Sequence, residues 1–131
     1  MEKEAGMGNR HVVSSLGKTW IFDLDGTILK HNGYKIDGID SLLDGAKEFL
    51  SHIPDEDMII LLTSRRLEYK DITEKFLKEN SIRYDQIIYE APYGERILIN
   101  DRKPSGLDMS IGVNTNRDEF MTDEFAVDED I

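Results

Sequence analysis

No cysteine occurs among the 131 residues, which excludes disulfides and thiolate metal sites and suits a cytoplasmic setting. Long apolar runs are missing as well. The longest is Met58 to Leu62, far below the roughly 20 residues that span a bilayer. The opening stretch from Met1 to Lys18 is polar and glycine-dotted, without a signal-peptide pattern, so a cytoplasmic protein with no membrane partner is expected. Basic charge is scarce: 16 Lys and Arg against 27 Asp and Glu leave a formal charge of −11. Phosphate backbones are gripped by clustered cations, so nucleic acid is a disfavoured partner. Much of the excess is local, in Asp118, Glu119, Asp123, Glu124, Asp128, Glu129 and Asp130, which leaves the rest only mildly acidic.

The length supports one core. Residues 1–17 show no sustained period and read as a flexible extension, with His11 to Val13 as a short edge segment at most. Residues 18–115 form the expected core, and 116–131 an acidic tail that frays or docks as a short helix through Phe120, Met121, Phe125 and Val127. Within the core, Trp20 to Phe22 and Met58 to Leu62 read as buried strands. Further strands are expected at Asp85 to Glu90, Ile97 to Ile99 and Met109 to Val113. Asn32-Gly33 marks the turn of a small hairpin or flap, with His31 as a solvated flap residue. Ile39, Leu42, Leu43, Ala46, Phe49, Leu50 and Ile53 give a helical stripe, with Asp44-Gly45 as an alternative start. Tyr69, Ile72 and Phe76 mark the buried stripe of a second helix. Asp71/Lys75 and Glu74/Lys78 are (i, i+4) pairs on its wet side. Strands alternating with helices predict an α/β fold with a mostly parallel five-stranded sheet covered on both faces.

In such sheets sites form at the carboxyl ends of strands, where Asp23, Thr63 and Asp101 fall. The first end reads Asp23-Leu24-Asp25-Gly26-Thr27. Asp23 and Asp25, two apart on a strand, lean the same way, and such paired like charges call for a counter-ion, usually a divalent cation. An Asp-Gly pair after an apolar run is also an ordinary turn. A calcium loop does not fit, because Thr27 and Tyr34 stand where acids are needed.

Strand, D-x-D-G-T and the two downstream segments together resemble the haloacid dehalogenase (HAD) superfamily, over about Thr19 to Asn114. The resemblance implies a Rossmann-like core and Mg²⁺-dependent hydrolysis of phosphate monoesters. It makes Asp23 the nucleophile of an aspartyl-phosphate intermediate and Asp25 the general acid and base. Asp23, Asp25 (through its backbone carbonyl) and Asp101 would be the Mg²⁺ ligands, although Asn100 stands where many members carry a second acid. Thr63 matches motif two, a hydroxyl for a phosphoryl oxygen, while Thr63-Ser64 also suits a plain helix cap. Gly26, Thr27, Ser64 and Arg65 complete the expected phosphate-binding set; Arg65 read as a solvated helix-start residue is equally open. Ala91 stands where motif three places a lysine, and Lys103 is the first choice to replace it, ahead of Arg65, Arg66 and Arg96. Asp108 reads as a surface acid.

Neither gap between motifs has room for a cap domain, so the resemblance is to the small capless branch. Such sites stay open unless the flap or a second copy in a homo-oligomer closes them, and they take phosphoryl groups on larger molecules. Thr63-Ser64-Arg65 and Ile99 to Pro104 resemble bacterial capsule and polysaccharide-biosynthesis phosphatases, which implies a sugar- or glycan-precursor-linked phosphate. The phosphatase halves of nucleic-acid end-processing enzymes are a more distant likeness. A HAD-fold module that binds phospho-ligands without catalysis is the alternative that Ala91 keeps open. A signalling receiver domain fits less well, because its phosphoacceptor Asp would sit where Thr63 ends the middle strand.

Overall fold

The computed structural model describes residues 8–131, so the first seven residues of the expected extension lie outside the described residues. The chain is mixed α/β, with two parallel sheets and short helices. It divides into two compact units.

The larger unit comprises Gly17–Tyr93 and Thr115–Phe120. Its sheet runs in the order β2-β3-β4, from Thr19–Phe22 (β2), Met58–Leu62 (β3) and Gln86–Ile88 (β4). All pairings are parallel, with Phe22 opposite Leu61 and Leu62 opposite Ile88. Parallel neighbours need a crossover. The first carries α1 (Gly33–Ile36) and α2 (Ala46–Ser51); the second carries a 3₁₀ turn (Leu67–Tyr69) and α3 (Lys70–Glu79).

Side chains alternate across a strand, and one face of this sheet holds the core. Phe22, Ile59 and Leu61 are buried there with Ala46 and Leu50 of α2 and Leu77 of α3. Phe49 stands edge-on to Trp20 and lies 5.6 Å from Phe120. The opposite face is only part-covered, with Ile21, Met58 and Ile88 all exposed; cover on both faces is not what the structure has. Two acids tie down the strand starts. Asp57 accepts from the Lys18 backbone N–H and the Trp20 indole N–H, both at 3.0 Å. Asp85 accepts from the Ile59 backbone N–H at 2.7 Å.

Several elements differ from their sequence reading. The flap is no hairpin: Asn32, in the left-handed region at φ 53°, starts the four-residue α1. The apolar stripe from Ile39 yields regular helix only from Ala46, after Gly45 at φ 88°. Leu42 bridges Leu29 instead, and Ile39 is exposed. In α3 the buried positions are Thr73 and Leu77, with Ile72 exposed. Lys75 reaches Glu79, while Glu74 accepts the Tyr89 hydroxyl.

The smaller unit comprises residues up to Leu16, Gly94–Asn114 and Met121–Ile131. Here β1 (Arg10–Val13) pairs in parallel with β5 (Glu124–Val127). The acidic tail thus forms a strand where fraying or a short helix is expected, because β1 offers it a ladder. His11 Nε2 lies 2.7 Å from Asp123 Oδ2, and its ring stacks on Phe125. Gly94–Asn114 has a turn from Lys103 to Gly106 but neither of the expected strands. Ile97 and Ile99 are 82% and 89% exposed. A strand exists through its partner, and apolar triplets without one stay irregular. The five strands are therefore three and two, not one five-stranded sheet. Among the described residues no helix is long and apolar enough to cross a membrane.

Candidate functional site

Asp23 and Asp25 follow β2, and between them Leu24 is fully buried. Leu24 packs into the core, and the two acids that flank it are both half-buried. The turn closes on the Leu24 carbonyl, which accepts the backbone N–H groups of Thr27, Ile28 and Leu29 at 3.0–3.1 Å. Gly26 makes the turn possible at φ 83°, where a side chain is strained. A Cβ there would also meet Arg117 Cγ at 3.2 Å. Thr27 folds back so that its hydroxyl donates to Asp23 Oδ2 at 2.9 Å.

β3 delivers the second segment. The last β2–β3 pair is Phe22 with Leu61, so Asp23 lies one residue beyond it and Thr63 two. Thr63 is almost fully buried. Its backbone N–H donates to Ile88 and its carbonyl accepts from Ala91; its hydroxyl oxygen accepts from the Arg65 N–H at 3.1 Å. Ser64 Oγ donates to the Pro92 carbonyl at 3.4 Å. Ala91, where the resemblance calls for a lysine, brings only this main-chain N–H.

Arg65 differs most from its sequence reading. Its side chain is 1% exposed, neither solvated nor open to a ligand. All five guanidinium N–H donors have protein partners. Nε and Nη2 fork onto the two oxygens of Asp25 at 3.0 Å each. Nη2 and Nη1 fork onto Asp40 at 2.7 and 3.0 Å. Nη1 also donates to the Thr73 hydroxyl at 2.8 Å, which in turn donates to the Tyr69 carbonyl. The Tyr34 ring covers the guanidinium at 4.0 Å. Burial, the largest influence, pulls the Arg65 pKa down, but Asp40 and Asp25 together outweigh it and raise it above the ordinary value. Burial, and then Asp25, raise the Tyr34 phenol.

Asp40, Thr73 and Tyr34 gave no motif signal. Asp40 follows an exposed isoleucine in an irregular segment, and Thr73 is a polar residue on a helix. A buried acid facing a buried arginine is visible only in three dimensions. Arg117 and Asp118 were equally hidden. Asp118 donates its N–H to the Gly26 carbonyl at 2.8 Å, and its Oδ1 accepts from the His31 N–H at 2.7 Å. This clip sets the exposed Arg117 against the glycine turn.

Asp101 and Lys103 belong to the other unit, in its irregular Gly94–Asn114 segment, where Asp101 is exposed. Asp108 pairs there with Arg102. Among the described residues no group of three or more His, Asp or Glu is placed to hold a metal ion. Oxygen donors of the Asp23 and Asp25 type do suit Mg²⁺, which takes one or two carboxylates with phosphate and water. The candidate site is thus a half-buried pair of carboxylates on a glycine turn, beside a buried threonine and a fully engaged arginine. Compared with protein-family models, curated proteins and solved structures, the chain matches none of them.

Proposed function

We propose that the chain is a Mg²⁺-dependent phosphomonoester hydrolase of the HAD type, without a cap, acting through an aspartyl-phosphate on Asp23. The observation that supports this is the arrival of Asp23, Asp25 and Thr63 at the carboxyl ends of two parallel neighbours, β2 and β3, around a turn that only glycine makes easily. The finer Rossmann-like description of the fold belongs to the same proposal.

In this reading an Asp23 oxygen attacks phosphorus as the bond to the ester oxygen breaks. Each Asp25 oxygen keeps one lone pair that the Arg65 fork does not use; protonated there, Asp25 gives its proton to that oxygen, which leaves as an alcohol. A water then adds to phosphorus, yields a proton to Asp25, and displaces the Asp23 carboxylate, releasing phosphate. Thr63 donates its hydroxyl hydrogen to a phosphoryl oxygen. Bound Mg²⁺, held by Asp23 and the Asp25 carbonyl, would supply charge neutralisation of the phosphoryl oxygens. Because Arg65 is engaged, Arg117 at the Gly26 turn is the candidate cation for the phosphate. The resemblance to polysaccharide-biosynthesis phosphatases makes a phosphoryl group on a sugar or glycan precursor in the cytoplasm the proposed substrate, with a homo-oligomer as one means of closing the site.

Turnover of p-nitrophenyl phosphate should require Mg²⁺, stop with EDTA and fall to background in Asp23→Asn. Metal-independent turnover, or turnover in Asp23→Asn, would sink the proposal. Arg117→Ala should lower kcat/KM about tenfold, less than the ~10²–10³-fold of a preorganised donor because Arg117 is exposed. A panel of phosphorylated sugars, glycerol-type phosphates, nucleotides and DNA ends then identifies the substrate class. Tight phosphate binding without hydrolysis of any of them would instead mark a non-catalytic binding module.

A further inference from the structure

We infer that Arg65 is a positioning residue: with Asp40 and Thr73 behind it, it holds the Asp25 carboxyl group toward the ester oxygen and does not itself bind the phosphoryl group. This deepens the proposed hydrolase and rests on it.

Three observations carry the inference. The first is donor saturation, since a guanidinium has five N–H groups and all five are engaged within the protein. A phosphate could enter only by displacing a carboxylate or the Thr73 hydroxyl. The second is the burial gradient. The Asp40 and Arg65 side chains are 2% and 1% exposed, whereas that of Asp25 is 17% exposed. Of these three groups, Asp25 is the one with exposed surface. The third is the origin of the parts. Asp25 follows β2, Arg65 follows β3, Thr73 lies on α3 and Asp40 precedes α2. Four segments converge to fix one side chain that the chemistry needs in one orientation. A two-point fork fixes both the position and the plane of a carboxylate, which a lysine cannot do.

Leaving groups separate positioning from phosphate binding. p-Nitrophenolate departs without a proton, but the alkoxide of an alkyl phosphate such as glycerol phosphate needs one. kcat/KM, which reports steps up to departure of the leaving group, is measured for both esters, with inhibition by inorganic phosphate alongside. In Arg65→Lys, kcat/KM for the alkyl ester should fall about 10²-fold more than for the nitrophenyl ester, at the lower end of the ~10²–10⁴-fold of general acid catalysis. Inhibition by phosphate should stay unchanged. Asp25→Asn should show the same selectivity, and the double variant should be no worse than Asp25→Asn alone. Equal losses on both esters with weakened phosphate inhibition would overturn the inference and make Arg65 a phosphate ligand.

Should Arg65→Lys fail to fold, Asp40→Asn and Thr73→Val keep the guanidinium and loosen its anchorage. A folded Asp40→Asn without leaving-group selectivity counts against the inference in the same way. The clamp is also read without activity. In ¹⁵N-labelled protein the Arg65 Nε–H should exchange slowly and shift in Asp40→Asn; a fast-exchanging Nε–H overturns the inference whatever the enzyme does. A wild-type protein that turns over neither ester, with the Nε–H protected, refutes the hydrolase and with it the positioning role, leaving only the clamp.

Discussion

Arg65 sits between two carboxylates, and its neighbours inherit the consequence. Removing Asp40 strands a buried cation against Asp25 alone, and breaking a buried pair costs about 3–5 kcal/mol. Asp40→Ala should therefore lose stability of that order in urea unfolding, although no sequence motif marks Asp40; a loss under ~1 kcal/mol would show the pair to be solvated. Tyrosines carry the alkaline side. Burial raises Tyr34, Tyr84 and Tyr89, with Asp25 adding to the first and Glu74 to the other two. Folding thus favours their neutral forms, so their contribution is complete below the ordinary tyrosine pKa near 10 and is lost as pH climbs past it. In a spectrophotometric titration these three of the five tyrosines should ionise late in the folded protein, and all five together in urea.

Among the elements, β2 and β3 were legible in the sequence because a continuous apolar run has few other fates. The carboxylate turn was legible because Asp-x-Asp-Gly-Thr concentrates its constraints in five adjacent residues. What the sequence hid were surfaces chosen by partners. Ile72 is the more apolar residue, yet Thr73 is buried, because its hydroxyl satisfies both Arg65 and the Tyr69 carbonyl. Ile97 and Ile99 look like a strand but have no ladder to join. Asp57 illustrates the same rule for β2: both its oxygens anchor the strand start. Asp57→Ala leaves the Trp20 indole N–H without its acceptor, a penalty of about 1–3 kcal/mol. The single tryptophan makes this visible, as a shift in fluorescence emission together with a lower urea midpoint; an unshifted spectrum would mean the indole had never been held.

At the scale of the molecule, the two units differ in how their backbones are satisfied. The larger has a three-stranded ladder and a closed apolar core, whereas Gly94–Asn114 forms neither helix nor strand. Hydrogen exchange should separate them: the amides of β2 and β3 slow, those of 97–101 exchanging within minutes, with tryptic cutting at Arg96 and Arg102. Protection at 97–99 would instead restore the strand expected there from the sequence pattern.

The pairing of β1 with β5 sets an order of events during synthesis. His11 and Asp123 are 112 residues apart, and translation adds roughly 5–20 residues per second. β1 leaves the ribosome first and then waits on the order of ten seconds for its ladder with β5. A nascent chain stalled before Glu124 would carry an unpaired strand edge, open to any holdase or aggregate it meets.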